Sequence, residues 1–101
     1  MAPLAIEIVP EAADEAREAR IWYAQRSPTA ATRFIAELDR AISEIQTAPQ
    51  RWPAHLYGTR RYILKRFPFL IVYRLSAEKI QIIACQHAKR RPGYWRGRLG
   101  S

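Results

Sequence analysis

Within eight positions near the end of the chain stand His87, Arg90, Arg91 and Tyr94. Metal-free RNA cleavage needs side chains of these kinds: a base for the 2′-hydroxyl, a cation for the phosphate charge and an acid for the leaving oxygen. Lys89 and Trp95 accompany them, and a second group of cations, Arg60, Arg61, Lys65 and Arg66, stands earlier. With Arg74, Arg96 and Arg98 these cations could contact phosphates, while Tyr94 and Trp95 could stack on bases. Each feature also has a plain structural reading. His87 can end a strand and bond the following turn, Tyr94-Trp95 can fold back onto a sheet, and Arg61 and Lys65 can keep a strand edge from pairing.

Other chemistries find less material. No Gly-rich loop runs into Lys-Ser or Lys-Thr, so no nucleotide P-loop is expected. His55 and His87 lie 32 positions apart with no carboxylate or thiol cluster beside them, so neither a metal nor any other cofactor is expected. The single cysteine, Cys85, has no disulfide partner and sits in an apolar run, which reads as core in a reducing cytosol. No apolar run approaches the roughly 20 residues of a membrane span. The N-terminus lacks a signal-peptide pattern.

Charge placement is more informative than the net +8. Residues 1–50 hold five Lys/Arg against eight Asp/Glu, a net of −3, whereas residues 51–101 hold twelve against one, a net of +11. Such asymmetry within one small domain suggests a polyanionic or acidic partner.

The elements that must position these side chains follow from periodicity. Leu4 to Val9 alternates as a half-buried strand, and Pro10 ends it. Glu11–Arg26 carries Ala12, Ala16, Ala19 and Tyr23 at helical spacing, with acids in its first turn and Arg26 at its end. Ser27-Pro28 restarts a second helix, whose stripe of Phe34, Leu38, Ala41, Ile42 and Ile45 runs to about Thr47 before Pro49 stops it. Arg33, Glu37, Arg40 and Glu44 fall on or near its other face. A punctuated loop follows to Gly58. Arg60–Lys65, Phe69–Leu75 and Ile80–His87 then read as three strands, the middle one central because it is apolar on both faces. In the last strand, alternation places Ile80, Ile82 and Ala84 on one face and Gln81, Ile83, Cys85 and His87 on the other. The order β-α-α-β-β-β describes an α+β fold, a helical hairpin packed on a small, mostly antiparallel sheet. Residues 1–99 form a single domain, and Gly100-Ser101 reads as a cloning remnant. Where the first strand joins the sheet is left open.

In this order the segments resemble toxins of the RelE/ParE superfamily of bacterial type II toxin–antitoxin systems. The resemblance rests on Ile21-Trp22-Tyr23, Phe34-Ile35-Ala36-Glu37-Leu38, Pro49 and Gly58-Thr59-Arg60-Arg61. It continues through Phe67-Pro68-Phe69-Leu70-Ile71-Val72-Tyr73-Arg74 and the closing His87-Ala88-Lys89-Arg90-Arg91-Pro92-Gly93-Tyr94-Trp95, spanning about residues 4–98. It implies a small cytoplasmic toxin neutralised by a cognate antitoxin whose flexible, often acidic segment covers the basic face. RelE-like members cut mRNA in the ribosome with strand cations and a C-terminal Arg and Tyr, whereas ParE-like members lack that set and poison DNA gyrase.

Carried onto this chain, Arg61 matches one strand cation, while Ile63 and Leu70 stand where two more are expected. Arg90 and Tyr94 match the C-terminal pair, and Lys65, His87 and Arg90 could form a relocated set. Two readings stay open. The first is a ParE-like toxin that binds an essential target such as DNA gyrase or another DNA-associated partner, with Arg60, Arg61, Lys65, Arg66, Lys89, Arg91 and Trp95 as target- or nucleic-acid-binding residues. The alternative is a ribosome-dependent mRNA interferase with His87, Arg90 and Tyr94 as its catalytic groups. The two apolar positions favour the first.

Overall fold

The computed structural model describes residues 4–100. Strand β1 (Ala5–Ile8) leads directly into helix α1 (Pro10–Arg26), which Ser27 joins to α2 (Pro28–Thr47). A loop with a short 3-10 turn at Leu56–Gly58 precedes β2 (Arg60–Ile63), β3 (Phe69–Leu75) and β4 (Lys79–His87). A second short 3-10 turn, Arg96–Arg98, closes the chain.

Each helix starts on a proline, whose missing N–H would have had no intrahelical partner there. Ser27 ends α1 by donating its backbone N–H to the Tyr23 carbonyl (2.7 Å) and starts α2 by accepting the Ala30 N–H on its hydroxyl (3.2 Å). One residue therefore serves both termini, which forces the two helices into a tight hairpin.

The sheet order is β1-β4-β3-β2, with β1 parallel to β4 and the other pairs antiparallel. The hairpin lies on one face. α1 packs against α2 and β4, and Phe34 of α2 meets Phe67 and Phe69 at ring separations of 5.3 and 5.2 Å. Tyr23 of α1 joins the same cluster, 5.3 Å from Phe34 and 5.0 Å from Phe67. The expected stripes are the buried ones: Ala12 and Ala19 of α1, and Phe34, Leu38, Ala41 and Ile45 of α2. Full burial of a side chain the size of Phe34, Leu38 or Ile45 stabilises by about 1.5–3 kcal/mol.

β4 departs from simple alternation. Val72 pairs with Ala84 but Tyr73 pairs with Ile82, so Ile83 is an extra residue bulged out of the ladder. Directly paired residues project to the same face. Ile80 and Ile82 therefore share the helix side with Cys85 and His87, and the expected grouping of Ile82 with Ala84 fails at the bulge. The far face takes Gln81, Ala84 and Gln86 of β4. β2 is also shorter than expected, because the Lys65 N–H turns away from the ladder to the Glu37 carboxylate (2.5 Å).

Candidate functional site

β1 pairs with β4 only as far as Ile82, where the chain turns up into α1 and the Val9 N–H makes the last bond to the Ile82 carbonyl (3.1 Å). Beyond that point the outer edge of β4 has no strand beside it. A side-chain pair takes the strand's place. The Cys85 N–H donates to Glu15 Oε1 (3.0 Å), and Arg98 Nη1 donates to the Ile83 carbonyl (3.1 Å). Arg98 also binds the Glu15 carboxylate through both nitrogens, at 2.9 and 3.0 Å. The pair thus satisfies backbone groups that would otherwise form an open edge.

Glu15 gathers the rest of the tail as well. Arg90 Nη1 donates to Oε2 at 3.2 Å, and the Tyr94 hydroxyl donates to the same oxygen at 2.5 Å. The Arg90 guanidinium lies over the Tyr94 ring, 3.6 Å from its centroid. Burial, reinforced by the bond to Glu15, pushes the Tyr94 hydroxyl well above the usual tyrosine range. The bond to Glu15 likewise raises Arg98. Cys85 sits beneath, its thiol pushed up to about 12 by burial and the nearby Glu15 charge, which makes it an inert core residue.

On the far face Trp95 is fully buried. Its indole N–H donates to Gln86 Oε1 (3.0 Å), and Gln86 Nε2 donates back to the Arg90 carbonyl (3.2 Å). Gly93, at φ +84°, makes the turn that seats this tryptophan, and a Cβ there would come within 3.1 Å of Tyr57 Cε2. The tail therefore clasps β4 from both sides, Trp95 on one face and Glu15 with its partners at the edge.

This arrangement sorts the residues expected at a site. Trp95 leaves the binding surface, because an enclosed indole cannot stack on a base. Arg60 is engaged internally, donating to the carbonyls of Gln50 (3.0 Å) and Trp52 (2.7 Å), where it braces the loop before β2. Arg74 bonds Gln81 (2.8 Å), and Arg98 is tied to Glu15, so neither is free for phosphate. His87 ends β4 with its ring edge-on to Phe69 at 5.1 Å, and its Nδ1 accepts the Lys89 N–H (3.1 Å). Arg61, Lys65, Arg66, Lys89 and Arg91 are exposed, and none is in an ion pair among the described residues.

Two clefts result. One, of about 410 Å³, lies between α1 and the start of β3 and brings His87 and Arg90 together with Glu15, Trp22 and Phe69. Tyr94 is not part of that lining, although its hydroxyl donates to the Glu15 carboxylate that is. The other, of about 270 Å³, lies between α2 and the turn after β2, and Lys65 and Arg66 line it together with Arg33 and Arg40. The helical period places those two arginines on or near the face of α2 opposite its apolar stripe, which by itself joins them to no site. Their seven-residue spacing, two helical turns, was the available signal. On the open sheet face Ile63 pairs with Leu70 beside Arg61 and Val72. The two apolar residues thus sit as neighbours where strand cations would stand, and Ile63 is 61% exposed.

Residues 6–92 match the family model described as the ParE toxin of the type II toxin-antitoxin system, parDE. The chain belongs to the ParE toxin family. Among solved structures, a chain described as the chromosomal ParDE TA system from P. aeruginosa shares the fold with a TM-score of 0.75 at 19% identity. That match covers 85% of this chain and 97% of the other. No curated protein sequence matches. ParE membership makes the chain the toxin component of a toxin–antitoxin system and implies an antitoxin partner. The family match ends at Pro92, so Tyr94, Trp95 and Arg98, which clasp β4, lie beyond it. Among the described residues, no helix of this ParE-family chain is long and apolar enough to cross a membrane.

Proposed function

We propose that this ParE-family toxin arrests growth in the cytoplasm by binding an essential target, DNA gyrase, rather than by cutting RNA, and that its cognate antitoxin neutralises it. One observation carries the reading: the candidate acid, Tyr94, and the candidate cation, Arg90, both donate to Glu15, which leaves only His87 of the three without a bond to that carboxylate. A tyrosine whose proton is held by a carboxylate, and whose pKa lies above its usual range, is a poor general acid. An arginine donating to the same carboxylate has less charge to offer a developing phosphorane. The Ile63–Leu70 pair supports the same conclusion, since each missing preorganised contact typically costs about 10²–10³ in rate.

The test is induction of the chain in a bacterium with and without the product of the neighbouring gene. The expected result is a DNA-damage response with accumulated gyrase–DNA cleavage complexes, suppressed by co-expression of the neighbour. Rapid translation arrest with cuts in ribosome-bound mRNA would overturn the reading in favour of a ribosome-dependent interferase. Growth without arrest would overturn both.

A further inference from the structure

The cleft between α2 and the turn after β2 is lined by four cations, Arg33, Arg40, Lys65 and Arg66. None forms an ion pair with a carboxylate among the described residues. The one acid in the lining, Glu37, is already engaged, accepting the backbone N–H groups of Lys65 (2.5 Å) and Arg66 (3.2 Å). That bond fixes the turn against α2, so that two cations from the turn face two from the helix.

We infer that this cleft binds the phosphate backbone of duplex DNA without reading its sequence, a contact additional to the protein target and independent of which target that is. Three features carry the inference. Arg33 and Arg40 are seven residues apart on one helix, about 10 Å along its axis at 1.5 Å per residue. A DNA strand offers a phosphate about every 3.4 Å of axis, so a backbone laid along α2 meets both arginines, whereas a single free phosphate would meet one. Three of the four cations are arginines, whose planar fork suits phosphate oxygens. The two aromatics of the lining are engaged internally: Tyr62 is buried against Trp52 with its hydroxyl on Glu44, and the half-buried Phe67 packs against Tyr23 and Phe34. Single-stranded nucleic acid depends on aromatic stacking, and a duplex backbone does not.

The test measures binding of the purified chain to a fluorescent mixed-sequence duplex of about 20 base pairs over a range of salt concentrations. Replacing both helix arginines (Arg33→Gln with Arg40→Gln) should weaken binding at least about tenfold and make the log–log salt slope shallower by roughly 2, near 0.9 per lost phosphate contact. Lys65→Gln with Arg66→Gln should do the same from the other wall and guards against a folding artefact in the first pair. Arg17→Gln, on α1 and paired with Asp14, should change neither. The inference fails if the double variants keep the wild-type slope, or if the slope drops only when Lys89 and Arg91 are replaced. It also fails if a single strand of equal length binds more tightly than the duplex. Displacement of the duplex by inorganic phosphate or by polyglutamate at equal charge concentration would overturn it in favour of a small-anion or acidic-peptide site.

Discussion

Two clusters of basic side chains lie on opposite sides of the helical hairpin and are in opposite states. At the edge of β4, Arg90 and Arg98 with Tyr94 all donate to Glu15. In the cleft beside α2, Arg33, Arg40, Lys65 and Arg66 surround a carboxylate that bonds only backbone N–H groups. The first cluster is structural: both guanidiniums are bonded to one carboxylate, and Glu15 with Arg98 substitutes for a missing strand. In the second, the charge is left for something outside the chain. Counting cations along the sequence ranks the tail first, whereas subtracting internal hydrogen bonds reverses that order. A positive side chain informs about a partner only after its intramolecular acceptors are known.

The contrast can be broken most forcefully at the clasp. Trp95→Ala empties a fully enclosed site and should cost about 4 kcal/mol of unfolding free energy in urea titration. A loss under about 1 kcal/mol would mean that the tail is not part of the core. Glu15→Ala should cost about 3 kcal/mol, since it leaves Arg98, whose side chain is only 15% exposed, without its partner. It should also make the bonds after Lys89 and Arg90 sensitive to trypsin, and unchanged protease resistance would show that the tail holds without Glu15.

The opposite cluster should behave otherwise. Arg33→Gln with Arg40→Gln, both exposed, should alter stability by under about 0.5 kcal/mol, so a large loss would mean those arginines are structural after all.

The smallest effect concerns His55, on the loop before β2. Burial, with a lesser contribution from Arg61, holds its pKa below the ordinary 6.5, and its Nε2 has no hydrogen-bond partner among the described residues. The folded state therefore resists protonation more than the unfolded chain does. The stability that neutral His55 contributes is complete above about pH 6.5 and declines as pH falls through its lowered folded pKa. His55→Gln should flatten the decline in unfolding midpoint between about pH 6.5 and pH 5. An unchanged profile would assign that slope to other groups.

Much of this molecule is legible locally. The starts of both helices follow from Pro10 and from Ser27-Pro28, and the capping bond at Ala30 is the one Ser27 is chemically suited to make. The buried stripes follow from a period of 3.6, and Phe69–Leu75 has the expected limits. The parallel pairing of β1 with β4 was not legible, because it depends on how the hairpin returns the chain across the sheet rather than on any residue of β1. The bulge at Ile83 escaped for a similar reason. Ile82, Ile83 and Ala84 are all buried, so hydropathy holds no mark of where the phase changes.

The sequence by itself determined the elements, their order, the family resemblance and the concentration of positive charge in the second half. Each of these is encoded by neighbours within a few positions or by composition. Only the tertiary structure decided which charges remain available. Glu15 and Arg98 are 83 residues apart, and nothing near either one predicts the other. A partly buried carboxylate must collect donors from whatever part of the chain packs around it, and here packing brings it the tail while leaving the α2 cleft uncompensated.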